Sequence, residues 1–441
     1  MAEIINPALD NFSRPEIIFY KFFQGKAAVM ENKFWNPDAE TMPREKIRQL
    51  QLDRLKQTVK WTYDNNALYR DKMNKASVKP GDIQKLEDVS QLPYTTKEDF
   101  RKAYPLKMLC VDQKDIREMH MSSGSTGSPV VMAYTEDDLD QWAECMARCY
   151  RMAGVNHGEV IQITPSFGLF NGGFGFYHGA RKSGLFVIPT GAGNTPRQIK
   201  LMKDFKVKAL MGVVSYGIRI MEVLEEEKTS LPELKIGIFG AETFSNSMRT
   251  KIETGLGIEA FDIYGMTETG GVGTTGMDCP VHNGIHVWED QYYTEMIDPE
   301  TGKPVKDGEM GEIVFTSLTR KAIPVIRFRT GDATRIISRE KCACGRTHLR
   351  IDRISGRLDD MLIIKGVNFF PRQVEQALME IPGAGNNYQI IIEERDGVKD
   401  LRINVEVEEG VSGFTVEKHL KKALGFSPKV DVFKSGDLAR Q

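Results

Sequence analysis

Long apolar runs are missing from this chain. None approaches the ~20 residues that a bilayer-crossing helix needs, so no membrane partner is expected. The N-terminal stretch MAEIINPALDNF has neither a basic segment nor an apolar core, which argues for a cytoplasmic rather than a secreted protein. Cysteine is scarce, with six in 441 residues, so a disulfide framework is not expected and free thiols or metal ligands are. Charge of one sign is also lacking. Lys and Arg number 59 against 61 Asp and Glu, which leaves no basic excess for nucleic acid to recognise. Internal repeats and long low-complexity segments are absent too. The length suffices for about two or three domains around a substantial core.

The stretch MSSGSTGSPV, Met121–Val130, carries the first chemical signal. Gly124 and Gly127 lack Cβ atoms, so successive backbone N–H groups can turn toward one point and let phosphate oxygens approach. Ser122, Ser123, Ser125 and Thr126 add hydroxyls there. No lysine follows the last glycine, so the loop is not that of a P-loop NTPase. Taken alone, such a run also reads as a surface loop.

Around it the apolar spacing predicts a long amphipathic helix over Glu45–Met73, and a helix capped by Thr95 or Thr96 in LPYTTKEDF. Another helix is expected over Asp137–Met152. Strands are expected at Val160–Thr164, Leu185–Pro189, Lys208–Val214 and Lys235–Gly240, with helices near Pro196–Asp204 and Tyr216–Glu227 between them. That alternation predicts α/β layering on a largely parallel sheet. From Gly284 the texture changes to short strands, a β-subdomain. Beyond a boundary near Gly356 follow a strand in MLIIKG, a helix at Pro371–Ile381, a hairpin over Tyr388–Glu408 turning at Asp396-Gly397, and a helix at Val416–Leu424. The fold class expected is α/β: a large N-terminal domain of layered sheets, residues 1–357, and a small mobile α+β lid, residues 358–441.

Three further stretches carry chemistry. YGMTE, Tyr264–Glu268, offers an aromatic face for a purine, a hydroxyl for phosphate and a carboxylate for Mg²⁺, though it also reads as a plain strand-to-loop junction. FRTGD, Phe328–Asp332, sets a carboxylate after a glycine turn, suited to ribose hydroxyls or to capping its own turn. GRLDDMLIIKG, Gly356–Gly366, is in isolation a charged linker.

In this order, with FGLFNGGFGFYHGA, GAETFS, HVWEDQYYTEMIDPETG and CACGRTH, these motifs resemble the adenylate-forming superfamily, and within it the phenylacetate-CoA ligase family. The likeness runs from about Met42 to the C-terminus. It implies an ATP- and Mg²⁺-dependent ligase that activates an aryl acid as its acyl-adenylate and passes it to coenzyme A. The alternatives are another acyl acceptor, or a non-catalytic adenylate- or CoA-binding protein. By resemblance, Ser122, Ser123, Gly124, Ser125, Thr126 and Gly127 cradle phosphates, Thr267 contacts phosphate and Glu268 ligates Mg²⁺. Gly240, Ala241, Glu242, Asp262, Tyr264 and Gly265 surround adenine. Asp332 holds the ribose, with Arg353 and Arg357 beside ribose or phosphate. Asp359 is the hinge, and Gly366 lets pantetheine pass. Phe167, Phe170, Phe174 and Tyr177 are expected to grip the aryl ring. Relatives often carry tyrosine before GLF, where Pro165 and Phe167 stand here, so benzoate-like and indole acids stay open. The family's catalytic lysine lies beyond a segment like KSGDLAR. Lys434 does not match it and Gln441 alone follows Arg440, so residues 1–441 are expected to adenylate slowly. Relatives also suggest a homodimer.

Two soft ligand pairs stand apart from this chemistry. Cys279 and His282 form C-x-x-H, and Cys342 and Cys344 form C-x-C, a set suited to tetrahedral structural zinc, with His286 and His348 as competing ligands. Cys145 and Cys149 are spaced for one helix face in a core.

Overall fold

A computed structural model describes residues 33–438 apart from 123–128, 243, 359–361, 365–366 and 396–397. The described residues open with the short helix α1 (Pro37–Glu40), followed by α2 (Arg44–Asn65) and α3 (Ala67–Lys75). The sequence pattern predicted one helix here. Asn66 breaks it by taking an extended conformation, and its side chain accepts from the Tyr69 amide to cap α3. Helix α4 (Lys97–Lys102) starts at Thr96, whose hydroxyl and Asp99 form a capping box. Thr95 donates to the Ile326 carbonyl at 2.6 Å, and Phe100 packs edge-on against Phe328, so α4 is pinned to the body of the molecule.

The strands β1 (Glu118–Met121) and β2 (Val131–Tyr134) pair antiparallel, flanking the Ser/Gly stretch. After them come α5 (Glu136–Met152), β3 (Val160–Ile163), α6 (Gly172–Lys182), β4 (Phe186–Ile188), α7 (Thr195–Asp204), β5 (Ala209–Val213), α8 (Val214–Glu226), β6 (Ile236–Gly240), α9 (Asn246–Leu256) and β7 (Glu259–Tyr264). Strands β7-β6-β5-β3-β4 run parallel within a nine-stranded sheet. The sheet continues antiparallel through β8 (Gly276–Asp278) and β9 (Ile285–Val287). The inner strands β5 and β6 are almost wholly buried because helices cover both faces, whereas β4, at the edge, is partly exposed. Cys145 and Cys149 lie in that core, as their spacing on α5 predicted.

Then β10 (Tyr292–Ile297), β11 (Gly311–Ser317) and β12 (Phe328–Thr334) form most of a four-stranded antiparallel sheet. The strands β13 (Ile336–Ser338) and β14 (Arg350–Ile351) return to the edge of the large sheet, and β15 (Gly356–Arg357) completes the smaller one against Asp332 and Ala333. Past β16 (Leu362–Ile364) and β17 (Val367–Phe369), the helix α10 (Pro371–Met379) and the strands β18 (Ala384–Arg395) and β19 (Val398–Val407) lead to α11 (Gly413–Leu424) and β20 (Lys429–Lys434). These elements share a core of their own, built on Ile364, Val374, Leu378, Ile403 and Leu420. The turn at Asp396-Gly397 lies outside the described residues. Among the described residues, no helix is long and apolar enough to cross a membrane.

Candidate active site

A parallel sheet flanked by helices leaves a crevice beyond the carboxyl ends of its strands. Here Thr164 follows β3, Val213 ends β5, Ala241 follows β6 and Gly265 follows β7, and all four line one cavity of about 1030 Å³. Residues distant in sequence meet there because neighbouring strands end at the same level. Ala241 sits at φ +66°, a left-handed conformation that costs a non-glycine residue strain. At Gly265 a Cβ would stand 2.2 Å from the Gly271 carbonyl oxygen, so the chain can cross itself only with glycine at that place.

Ser122, Thr267, Glu268 and Arg357 line the same cavity. Asn171 donates to the Thr267 hydroxyl at 2.9 Å and fixes it at the rim. Glu268 is only 4% exposed, and its carboxylate lies 4.0 Å from the Lys97 ammonium. Lys97 and Arg101, four residues apart on α4, share a face and both reach the cavity. No motif signalled them. Their relevance comes from the anchoring of α4 through Thr95 and Phe100, which brings a distant segment across the crevice.

A second cavity of about 1070 Å³ adjoins the first, with Ser215, Ala241, Gly265, Met266 and Arg357 lining both. Glu242, Asp262, Tyr264 and Asp332 line it, and Phe370, Pro371, Glu375 and Tyr388 close it from the C-terminal elements. Glu242 accepts from the Ser215 amide and hydroxyl, each at 2.7 Å. Burial pushes the Asp332 carboxyl up to about 6, although the Tyr264 hydroxyl and the Arg357 guanidinium draw it down. Gly240, at the end of β6, lines the first cavity beside Ala241.

Several expected placements change. Of the four aromatic residues assigned to the acyl group, Phe170 reaches the first cavity. Phe167, Phe174 and Tyr177 instead pack on one another and toward His120 and His178, with ring centroids 5.4 to 6.3 Å apart. Helical geometry explains this. Phe174 and Tyr177 share a face of α6, whereas Phe176, about 200° around from Phe174, lines the cavity. Arg353 is held against Phe244, its guanidinium 5.5 Å from that ring, and it donates to the Phe244 carbonyl. It therefore meets the second cavity through Phe244. His282 is bonded to Asp278 at 3.0 Å and faces Glu259 at 3.5 Å. The thiols of Cys279, Cys342 and Cys344 converge with His286, one of the two competing ligands, while His282 and the other competitor, His348, lie outside that group. Ser123, Gly124, Ser125, Thr126, Gly127, Asp359 and Gly366 lie outside the described residues.

The AMP-binding enzyme family matches residues 12–319, and the AMP-binding enzyme C-terminal domain matches residues 366–441. The chain is 39% identical over 415 residues to the phenylacetate-coenzyme A ligase of Escherichia coli, covering 91% of this chain and 94% of that one. It superposes with a TM-score of 0.87 and 28% identity on 2-hydroxyisobutyryl-CoA ligase in the postadenylation state with 2-HIB-AMP, over 93% of this chain and 91% of the other. Against the same enzyme with 2-HIB-AMP and CoA in the thioesterification state the TM-score is 0.70, at 29% identity and the same coverage. The chain belongs to the AMP-binding enzymes, and among them to the phenylacetate-CoA ligase family.

Proposed function

We propose that this chain is an AMP-forming acid–thiol ligase acting on an aryl carboxylic acid of the phenylacetate type. In the first step a carboxylate oxygen forms a bond to the α-phosphorus of ATP, and the bond to pyrophosphate breaks. In the second step the thiol of coenzyme A attacks the acyl carbon, giving the thioester, AMP and a proton. Such chemistry needs placement and charge neutralisation and no covalent enzyme intermediate.

The observation that carries this reading is the seam of the two cavities, where Arg357, Gly265 and Ala241 face both. A nucleotide lying across the seam would set adenine near Glu242 and Tyr264, ribose at Asp332, and phosphates between Thr267, Ser122, Lys97 and Arg357. Ser123, Gly124, Ser125, Thr126 and Gly127 complete the phosphate cradle in this proposal. Glu268 and Thr267 are hard oxygen donors side by side at the cavity, a set that fits Mg²⁺. When bound, Mg²⁺ supplies charge neutralisation at the phosphates. The aryl ring takes the first cavity among Phe170, Phe176 and Val272.

The division into a body, residues 1–357, and a lid, residues 358–441, belongs to the same proposal, with Asp359 as hinge and Gly366 beside the pantetheine. The separate core around Val374 and Leu420 supports it. So does the TM-score of 0.87 against the postadenylation arrangement and 0.70 against the thioesterification arrangement of one related enzyme. The test is ATP–pyrophosphate exchange with phenylacetate, benzoate and indole-type acids, followed by CoA-dependent thioester formation. Absence of exchange with every acid would overturn the reading. Exchange without thioester would replace coenzyme A by another acceptor.

A further inference from the structure

Four potential ligands that the ligase reaction does not use meet in one place. Cys279 follows β8, His286 lies in the middle of β9, and Cys342 and Cys344 bracket a tight turn before β14. One ligand atom from each lies within 4.8 Å of all the others. Cys279, His286 and Cys342 are buried, and Cys344 is partly so. None of these residues lines either cavity.

The spacings discriminate between a thiol cluster, a disulfide and a metal site. Tetrahedral zinc with sulfur at about 2.3 Å and nitrogen at about 2.0–2.1 Å requires S···S of about 3.8 Å and S···N of about 3.6 Å. The Cys279 and Cys342 sulfurs are 3.9 Å apart, and Cys344 Sγ lies 3.5 Å from His286 Nε2. A disulfide needs about 2.05 Å between sulfurs, well short of the spacing found. His286 is fully buried on a strand, with its ring directed at sulfur, and this costs desolvation unless an ion repays it. The turn itself is built for convergence. The Gly345 amide donates to the Cys342 carbonyl at 2.8 Å, with Gly345 at φ +100°.

We infer that Cys279, His286, Cys342 and Cys344 form a closed Cys₃His site for one structural zinc ion. All four positions come from protein, so no coordination site is left open for catalysis. The site fastens the turn to β8 and β9 of the large sheet. Arg346, next to it, extends the tie: its guanidinium reaches Glu40 at 2.6 Å, the Lys33 carbonyl at 3.0 Å and Cys344 Sγ at 3.8 Å. Arg346 thereby ties the turn to α1, beside the direct bonds of the Thr347 amide to the Glu40 carbonyl and of His348 to the Ala39 carbonyl.

The test is elemental analysis of the chain purified without added metal, with cobalt substitution as a second measurement. About one zinc per chain is expected, and the cobalt form should show thiolate charge-transfer absorption with intense tetrahedral visible bands. Cys342→Ser and His286→Ala should each lose most of the metal, whereas His282→Ala should keep it. Because these variants can fail to fold, the wild-type chain supplies an independent readout. A zinc-selective chelator should lower its melting temperature and make three further thiols alkylatable. Metal-free wild-type chain that melts normally, a Cys279–Cys342 disulfide, or equal metal loss in His282→Ala would overturn the inference. ATP–pyrophosphate exchange is a separate measurement, so failure here is distinguishable from failure of the ligase reading.

Discussion

Tyr264 donates its phenolic hydrogen to Asp332 at 2.7 Å, joining the end of β7 to β12 in the lining of the second cavity. The two strands belong to different sheets, so this bond ties the parallel layer to the antiparallel one. Burial leaves the Asp332 carboxyl near 6, above its ordinary 3.8. Between those values the folded chain holds more protons than the unfolded one, so this group costs stability as pH rises from about 4 to about 6. Above that window the loss is complete.

Asp332→Asn should remove that pH-dependent cost. Urea unfolding from pH 4 to pH 7 should show the variant gaining on the wild type through the window, then running parallel to it. A pH-independent difference would contradict the account. The same variant should bind nucleotide more weakly at neutral pH, because an amide accepts ribose hydrogen bonds less strongly than a carboxylate.

Glu268→Gln preserves shape and removes charge at a nearly buried position. ATP-dependent turnover should fall by orders of magnitude while folding is retained. Near-normal turnover at saturating Mg²⁺ would show that the carboxylate is not needed for the metal.

Phe170 and Phe174 separate the acyl pocket from the packing beneath it. Phe170 is 55% exposed at the cavity, so Phe170→Ala should leave the melting temperature almost unchanged and raise KM for the acid. Phe174 packs on His120, Phe167 and His178, so Phe174→Ala should lose on the order of 2 kcal/mol of stability. Thermal melts and steady-state kinetics on both variants check the contrast, and a reversed pattern would return Phe174 to the pocket.

Arg148 and Asp290 form a buried bidentate pair at 2.9 and 3.0 Å. Burial alone would raise the Asp290 carboxyl, but Arg148 outweighs it and holds the carboxyl well below the ordinary range. This contribution is therefore present above the usual carboxylate pKa of ~3.9 and is lost as pH falls below it. Asp290→Asn leaves the buried Arg148 guanidinium with Glu144, at 3.3 Å, as its remaining charge partner, and should cost about 3 kcal/mol in urea unfolding at pH 7. Replacing both residues by apolar ones should cost less. A larger loss in the double variant would contradict the pairing.

The α/β alternation from Val160 to Gly240, a cap at Thr95 or Thr96 and the C-terminal hairpin were legible in the sequence, because propensity, capping and apolar period act within a few residues. Glu268, Asp332 and Arg357 could be singled out too, since they stand in the short stretches YGMTE, FRTGD and GRLDD on which the resemblance rests. Asn66 was not, because one extended residue interrupts an otherwise continuous helical period. Phe176, rather than Phe174, reaches the cavity because the facing of α6 depends on which side meets α5 and β1. The Cys/His group was visible as two pairs, but its fourth member was chosen by strand pairing. Met277 lies opposite His286 across β8 and β9, which sets that ring beside Cys279, while Asp278 and Glu259 engage His282. Lys97 and Arg101 depend on tertiary structure altogether: their place at the crevice follows from Thr95 pairing with a loop more than two hundred residues away, a contact that no local pattern encodes.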